Sequence, residues 1–366
     1  MKVAVVHYWL TSMRGGEKML ETLLELFPSA DVYTHVYNKK YISPLINKHK
    51  VYTSSINRLP FASKLYKMYM PLMPRALLEF DLRDYDIVIS SEAGPAKGVI
   101  VNPDAFHLCY CHSPMRYIWD LYHEYYKSAS IFFRVFMKLL VPSLRVWDIT
   151  SSNLVDRFVT NSAYTAKRIK RYYNRDAEIV FGPAEIEKYA SVPRDVKDYY
   201  LVLGQLSENK RVDIAIDACA ALGKKLIVAG GGSPGRLRKR AGGADGGVSF
   251  VGRVSDEEAA RLLSQAKALL FPGIEDMGLV PVEAAAAGCP VIAYRKGGAL
   301  DTVKENVTGI FFDEQSADSL SAAILRFETI GGAFSNRAAF AGHARNFSKD
   351  AFKERMLRVL AERKRG

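Results

Sequence analysis

Short apolar segments rich in β-branched residues alternate along the chain with segments in which apolar residues recur every three or four positions. The first half contains segments typical of buried strands at residues 2–8, 30–36, 85–91, 98–101, 107–112 and 157–161. After the first of them, GGEKMLETLLELF has the spacing of an amphipathic helix. A second series of strand-like segments occupies residues 198–204, 224–230, 248–252, 268–273, 290–294 and 309–312. Strands that alternate with helices predict parallel sheets flanked by helices, here twice.

The domain organisation follows from these two series. A stretch that mixes proline, glycine and charge, FGPAEIEKYASVPRDV, separates them. We therefore predict an α/β protein with domains at residues 1–185 and 186–345, and a C-terminal helix at residues 346–366 that packs back toward the first domain. Two doubly wound, Rossmann-like domains that face each other would form a cleft at the carboxyl ends of their strands.

Composition restricts the class of protein. A chain of 366 residues suits two domains of about 150–200 residues each. With 49% apolar and 25% charged residues it resembles a globular protein, and no apolar run reaches the roughly 18 residues of a membrane span. The lack of such a run predicts a cytoplasmic location. The four cysteines lack CxxC spacing, so we expect reduced structural thiols and no metal site.

The net charge of +12 is concentrated in two windows without acidic residues, residues 48–78 and 125–147. Both windows are also rich in Tyr, Phe, Met and Leu. A positive charge of this size is compatible with nucleic acid, anionic lipid or an anionic substrate.

Three glycine-containing turns are candidates for phosphate binding. Gly15 and Gly16 follow the first strand and precede a helix. AGGGSPGRL fits the GxGxxG dinucleotide pattern through Gly230, Gly232 and Gly235. However, it follows the second strand of its domain, no acid ends the next strand, and proline lies inside the turn. NAD binding is therefore disfavoured.

The third turn, FPGIEDMGLVPVEAAAAG, is more specific. A strand, a Pro–Gly turn, Glu275 and Gly278 lead into a helix of small residues. Its N–H groups at Met277, Gly278, Leu279 and Val280 would point at a diphosphate, whose charge the helix dipole favours. A carboxylate beside such a site makes sense if it binds sugar hydroxyls. We therefore assign ribose hydroxyls to Glu283 and hydroxyls of a further sugar to Glu275.

At this point the sequence resembles a known family. EDMGLVPVEAAAAGCPVIAYRKGGALDTVKENVTGIFF resembles the signature of family-four retaining glycosyltransferases, which have the GT-B fold. The Gly-Gly turn, VTNSAYTAKRI and LGQLSENKRVDIAI extend the resemblance over both halves. YCHSPMRYIWDLYHEYY and FDLRDYDIVISS are similar to a narrower group, bacterial mannosyl- and D-rhamnosyltransferases that build O-antigen (lipopolysaccharide) or capsule chains on lipid carriers.

The resemblance assigns roles to individual residues. It implies His112, Lys210 and Glu275 as catalytic residues: His112 faces the transferred sugar, Lys210 binds the donor diphosphate, and Glu275 contacts the donor sugar. The implied donor-binding set is Gly15, Gly16, Gln205, Lys210, Arg211, Met277, Gly278, Leu279, Val280 and Glu283.

One position departs from the family pattern. The family usually has an arginine after the glycine of the first strand–helix turn, whereas this chain has Gln205 after Gly204. Glutamine cannot neutralise a leaving diphosphate. Arg211 or Arg14 could substitute, turnover could be modest, or the donor preference could differ.

The implied reaction is transfer of a hexose from a nucleotide diphosphate sugar to a hydroxyl with retention of configuration and without a metal or other cofactor. The donor implied is GDP-mannose first and GDP-D-rhamnose second, and the acceptor is a polyprenyl-diphosphate-linked saccharide. Alternatives are a UDP-sugar donor, a sugar-nucleotide epimerase of the same fold, and an NAD-dependent oxidoreductase. Nucleic-acid binding is disfavoured because the strand–helix repeats match no recognised module.

The acid-free windows suggest contact with the inner face of the cytoplasmic membrane. In the second window the basic residues, spaced by seven, four and seven, fall on one side of a helical wheel, with Phe and Leu opposite. Pro142 is expected to break this helix before Arg145. The predicted membrane and acceptor residues are Arg58, Lys64, Lys67, Arg75, Lys127, Arg134 and Lys138.

Overall fold

Two parallel β-sheets organise the chain in the computed structural model, which describes residues 1–242 and 247–362. The first sheet has the order β3-β2-β1-β4-β5-β6-β7, built from β1 (Val3–His7), β2 (Asp31–Thr34), β3 (Val51–Thr53), β4 (Ile87–Glu92), β5 (Phe106–Cys111), β6 (Arg157–Thr160) and β7 (Ala177–Ile179). The second has the order β10-β9-β8-β11-β12-β13, built from β8 (Tyr200–Leu203), β9 (Leu226–Ala229), β10 (Val248–Gly252), β11 (Leu269–Phe271), β12 (Val291–Tyr294) and β13 (Gly309–Phe312). The predicted pair of doubly wound parallel sheets is confirmed.

Helices connect these strands. Those of the first half are α1 (Gly15–Leu26), α2 (Pro44–Asn47), α3 (Ala62–Leu65), α4 (Met73–Ala76), α5 (Tyr122–Ser128), α6 (Ile131–Ser151) and α7 (Ala163–Tyr173). Those of the second half are α8 (Ile186–Ala190), α9 (Val212–Ala221), α10 (Gly235–Arg240), α11 (Asp256–Gln265), α12 (Leu279–Ala286), α13 (Ala299–Thr302), α14 (Ala317–Ile330), α15 (Arg337–Arg345) and α16 (Lys349–Ala361). Short 3₁₀ helices lie at Lys39–Tyr41, Ser55–Arg58, Met70–Leu72, Leu77–Glu79, Ser152–Leu154, Glu208–Lys210 and Gly331–Ser335.

The chain divides into two compact units. One comprises Met1–Val180 and the chain from Lys353 onward, and the other comprises Phe181–Phe352. Within the first unit, Lys353 on α16 forms an ion pair with Glu25 on α1 at 2.7 Å. Arg157 also donates a hydrogen bond to the carbonyl of Val359. No helix among the described residues is both long and apolar enough to cross a bilayer.

The first sheet differs from the sequence prediction at three points. Strands β3 and β7, at its two edges, were not predicted, because three-residue edge strands carry too little pattern. Residues 98–101 were predicted as a strand, and this was wrong. They contribute only an isolated bridge between Val101 and Leu82. Here a short apolar run packs as a loop, with Val99 buried.

Helix α6 continues through Pro142 to Ser151, so the predicted break before Arg145 was wrong. Packing explains this, since Met137, Val141 and Leu144 are buried on the helix face that contacts Met115 and Ile118. The gap in the helix lies earlier. Helix α5 ends at residue 128, and the hydroxyl of residue 130 caps α6. Residues 125–147 therefore do not form one continuous helix, and the predicted basic face is divided between α5 and α6.

A buried ionic network ties α6 to the first sheet. Lys97 is fully buried and donates to Glu92 on β4 at 3.1 Å and to Asp148 on α6. The indole of Trp119 and the hydroxyl of Tyr173 donate to the other oxygen of Asp148, at 2.7 and 2.9 Å. Two carboxylates share one ammonium here, and burial raises the pKa of Glu92.

Candidate active site

The turn after β8 carries the predicted diphosphate lysine. Gly204 ends the strand with φ +133°, and the chain passes through a 3₁₀ turn to Lys210. Gly273, in the turn after β11, packs directly against this segment. A Cβ atom on Gly273 would lie 2.7 Å from the Lys210 Cα atom. The two turns therefore hold Lys210 close to the segment that carries Glu275.

Lys210 and Glu275 form an ion pair, with the lysine Nζ donating to Oε1 of the carboxylate. Both side chains are about one-fifth exposed, so water and ligands can reach them. Two residues 65 positions apart, singled out from the sequence for the diphosphate and the donor sugar, thus lie in direct contact.

Helix α12 begins beside this pair. Gly278 precedes it with φ +80°, a left-handed conformation that favours glycine. Met277 and Gly278 are buried, whereas Leu279 and Val280 are half-buried. The N–H groups of a first helical turn have no partner within the helix and carry its positive dipole end. A helix start of this kind can bind an anion.

Glu283 lies one turn into α12 and has a partner that the sequence did not reveal. The hydroxyl of Tyr189, on α8, is hydrogen-bonded to the Glu283 carboxylate. Tyr189 is 4% exposed. Burial, and next the Glu283 charge, raise the pKa of Tyr189, so its hydroxyl stays protonated and donates. No motif marks Tyr189, because its role depends on the packing of α8 against α12.

Arg211 and Gln205 do not face the same space. Gln205 lines a small cavity with Lys210, Gly204 and the turn after β11. Arg211 instead forms an ion pair with Asp213 at 3.1 Å and donates to the Gln315 side chain. It also has a left-handed backbone, with φ +49°. Arg211, one of the two arginines suggested to replace the missing one, is therefore held by Asp213 and Gln315 in this structure.

The GxGxxG-like turn has a packing role. A Cβ atom on Gly230 would lie 1.6 Å from the Gly204 carbonyl oxygen, and one on Gly232 would lie 2.9 Å from the Leu206 carbonyl oxygen. These glycines let the turn after β9 press against the turn after β8. Protein contacts therefore account for glycine at positions 230 and 232.

In the first unit, His112 directly follows β5, and its backbone N–H donates to the Glu92 carbonyl at 2.8 Å. Gly15 and Gly16 begin α1. A Cβ atom on Gly16 would lie 2.1 Å from the Tyr8 hydroxyl, so this position has no room for a side chain. Burial lowers the pKa of His112 to about 3, which keeps its imidazole neutral.

A chain of polar side chains leads inward from His112. Its Nε2 atom lies 3.0 Å from the Ser91 hydroxyl, which lies 2.9 Å from Nδ1 of His7. Nε2 of His7 lies 3.8 Å from the Glu17 carboxylate and has no hydrogen-bond partner among the described residues. His7, Ser91 and Glu17 were not predicted, because each lies in an apolar strand or helix pattern that masks it.

Most of the predicted basic residues of the two windows lie at the surface. Two residues in the second window are instead half-buried. Arg134 donates to the carbonyls of Tyr126 and Lys127, and Arg145 donates to the Ile118 carbonyl. The predicted membrane and acceptor residues that are exposed are Arg58, Lys64, Lys67, Arg75, Lys127 and Lys138.

The chain is similar to several known proteins. Residues 184–360 match the family model described as "Glycosyl transferases group 1". The human "Alpha-1,3/1,6-mannosyltransferase ALG2" is 27% identical over 250 residues, covering 58% of this chain and 60% of that protein. A "GDP-mannose-dependent alpha-(1-6)-phosphatidylinositol monomannoside mannosyltransferase" of Mycobacterium tuberculosis is 34% identical over 181 residues, covering 46% of this chain and 43% of that protein. The matched segments thus span 60% and 43% of these relatives.

A solved structure, that of Anabaena Alr3699/HepE in complex with UDP, matches with a TM-score of 0.73 at 16% identity. The match covers 99% of this chain and 100% of that one. A likeness at this identity shows the fold. Together with the two doubly wound sheets, this likeness shows that the chain has the GT-B fold, and its residues 184–360 match the glycosyl transferases group 1 model.

Proposed function

We propose that the protein is a retaining hexosyltransferase that takes its sugar from a nucleotide diphosphate donor. The observation that carries the proposal is the Lys210–Glu275 pair beside the start of α12. A cation, a helix start and two carboxylates, Glu275 and Glu283, match the diphosphate, ribose and sugar parts of such a donor.

Departure of the nucleoside diphosphate is the step that these residues assist. Negative charge builds on the leaving phosphate oxygen, where the Lys210 ammonium and the first N–H groups of α12 lower the barrier. In the proposed mechanism that oxygen takes the proton of the acceptor hydroxyl as the new glycosidic bond forms on the same face of the sugar. No metal or other cofactor is proposed for this step.

We propose GDP-mannose as the donor, with GDP-D-rhamnose second. Support comes from the two relatives whose names specify mannosyl transfer, one of them with GDP-mannose. A mass-spectrometric assay of the purified protein with GDP-mannose, GDP-D-rhamnose, UDP-glucose and UDP-GlcNAc tests the choice. Turnover with a GDP-sugar and a product of retained configuration is expected. Equal or faster turnover with a UDP-sugar would refute the donor, and interconversion of free sugar nucleotides would indicate an epimerase.

We also propose that the first unit contacts an anionic membrane and takes a polyprenyl-diphosphate-linked saccharide from it, as in O-antigen or capsule assembly. Support comes from apolar side chains that α6 leaves exposed, with Ile131 80% and Leu139 70% exposed. Phe61, in the other window, is 73% exposed and has a left-handed backbone. Exposed Lys64 and Lys67 lie three and six positions after it. Apolar groups beside lysines suit a headgroup region.

Flotation with liposomes tests the membrane proposal. Replacing Lys64, Lys67 and Lys138 by Glu should weaken binding to anionic vesicles by about 100-fold, at about 1 kcal/mol per basic residue. Arg134 is left intact because it holds the α5 backbone. A variant with the same charge change at other exposed lysines, Lys167, Lys197 and Lys225, is the matched control. Equal binding by the two variants, or binding insensitive to lipid charge, would contradict the proposal.

A further inference from the structure

Hydrogen-bond chemistry determines which groups donate and which accept along the polar side chains behind His112. The Ser91 hydroxyl lies 2.9 Å from a ring nitrogen of His7 and 3.0 Å from one of His112. A serine hydroxyl has one proton. It therefore donates to one of the two histidines and accepts an N–H from the other, so the tautomers of His7 and His112 are coupled.

Glu17 sets the direction. Its Oε2 atom accepts the backbone N–H of Arg14 at 2.9 Å, and its Oε1 atom lies 3.8 Å from Nε2 of His7. A lone pair on that buried nitrogen would face a carboxylate without any donor between them. Placing the His7 proton on Nε2 instead turns an N–H toward the negative charge. His7 is fully buried, and with a single ring proton it carries that proton on Nε2, toward the Glu17 carboxylate.

The remaining protons follow from this assignment. With Nε2 of His7 protonated, its Nδ1 atom accepts from the Ser91 hydroxyl. The Ser91 oxygen must then accept from His112, which places the His112 proton on Nε2. Nδ1 of His112 is left as an acceptor, and no hydrogen bond to it is found among the described residues.

We propose that Glu17, His7 and Ser91 are positioning residues that hold His112 in the Nε2–H tautomer, so that Nδ1 of His112 accepts a hydrogen bond from a substrate hydroxyl. The tautomer follows from the first unit alone. Its use on a sugar hydroxyl rests on the proposed transferase function.

Nitrogen NMR of the full chain with ¹⁵N-labelled histidine, without any sugar nucleotide, tests the tautomer. Two other histidines provide internal standards, because their carbonyl partners fix the proton. Nδ1 of His107 faces the Leu154 carbonyl at 2.8 Å, and Nε2 of His35 faces the Pro95 carbonyl at 3.0 Å. His112 should show the His35 pattern, with Nε2 protonated. A signal of the His107 type in the wild-type protein would overturn the proposal.

Glu17→Gln should reverse the chain. The single amide oxygen must accept the Arg14 N–H, which turns the amide NH₂ group toward Nε2 of His7. The His7 proton then moves to Nδ1, the Ser91 proton points to His112, and His112 becomes protonated on Nδ1. Glu21→Gln, the same change elsewhere on α1, should leave the His112 signals unchanged. An unchanged His112 tautomer in Glu17→Gln would overturn the proposal.

Ser91→Ala removes the link and should give His112 a mixture of both tautomers. Ser90→Ala is its control. Ser90 lies on the same strand as Ser91, but its hydroxyl contacts His107, at 2.9 Å, instead of His112. A single wild-type tautomer of His112 in Ser91→Ala would count against the proposal. In activity assays, Glu17→Gln should lower kcat about tenfold with unchanged affinity for GDP, as expected for one misplaced hydrogen bond. A protein that transferred no sugar would still report its tautomers, so the two proposals fail separately.

Discussion

Glu283 offers the sharpest test of the donor site, because we assign this carboxylate one contact that the structure shows and one function that we propose. It accepts a hydrogen bond from the buried hydroxyl of Tyr189, and it is half-exposed one turn into α12, where we propose that it binds ribose hydroxyls. Glu283→Gln keeps an acceptor for Tyr189 and removes the charge. Glu283→Ala removes both. The two variants should therefore separate binding from folding.

The magnitudes follow from the two contacts. A charge-assisted hydrogen bond contributes about 1.5–3 kcal/mol, so Glu283→Gln should raise the Kd for GDP about 10- to 150-fold. Its stability should stay close to that of the wild type. Glu283→Ala should lose GDP affinity as well. It should also lose about 1–3 kcal/mol of folding free energy, because the Tyr189 hydroxyl, on a residue 4% exposed, is left without that acceptor.

Isothermal titration with GDP and urea unfolding measure the two quantities. Tyr189→Phe is the control: combined with Glu283→Ala it removes the unpaired hydroxyl and should restore part of the lost stability without restoring GDP affinity. A folded Glu283→Gln protein that binds GDP as tightly as the wild type would remove Glu283 from the donor site. Equal stabilities of Glu283→Ala and Glu283→Gln would refute the role assigned to Tyr189.

Three further predictions concern other parts of the chain. Lys97→Met leaves two buried carboxylates without their cation and should cost about 3–5 kcal/mol in urea unfolding; a loss below about 1 kcal/mol would contradict the network. Burial lowers the pKa values of His35 and His107 to about 4, so both are neutral when folded. Their stabilising effect is complete above the unfolded pKa of about 6.5 and declines as the pH falls toward 4. Unfolding at pH 7 and pH 4.5 should show this decline, and His107→Gln should reduce it; an identical pH dependence in that variant would show that His107 does not contribute. Gln205→Arg places a second cation in the Lys210 cavity and should raise kcat with the proposed donor, whereas unchanged or lower turnover in a steady-state assay would show that another group already supplies that charge.

The sequence predicted the second sheet better than the first, for a physical reason. All strands of the second sheet are short apolar runs bounded by glycine, proline or charge, and each was located. In the first sheet the edge strands β3 and β7 have three residues each, and their pairing depends on neighbours far along the chain. Contacts between distant residues also explain why α6 continues through Pro142. Burial of Met137 and Leu144 against Met115 outweighs the effect of the proline.

The candidate site was predictable where a residue type and a turn coincide. Lys210, Glu275 and Gly278 stand in glycine-containing turns at strand ends, and such turns at the carboxyl ends of parallel strands converge in space. His7, Ser91 and Glu17 carry no such signal. Their roles arise from register, since His7 on β1 pairs with Ser91 on β4, a partner 84 positions away. Tyr189 was missed for the same reason, as a contact between two helices leaves no local pattern.

The contact between Lys210 and Glu275 links two roles that the sequence could only assign separately. In the unliganded protein each side chain balances the charge of the other, at a position about one-fifth exposed. If a donor diphosphate takes the lysine, as we propose, the carboxylate loses its cation and needs new hydrogen-bond donors, which the hydroxyls of the sugar supply. A nucleoside diphosphate alone would leave that carboxylate unpaired. The same ion pair would therefore favour the complete sugar donor over the diphosphate product, which would help the product to leave after transfer.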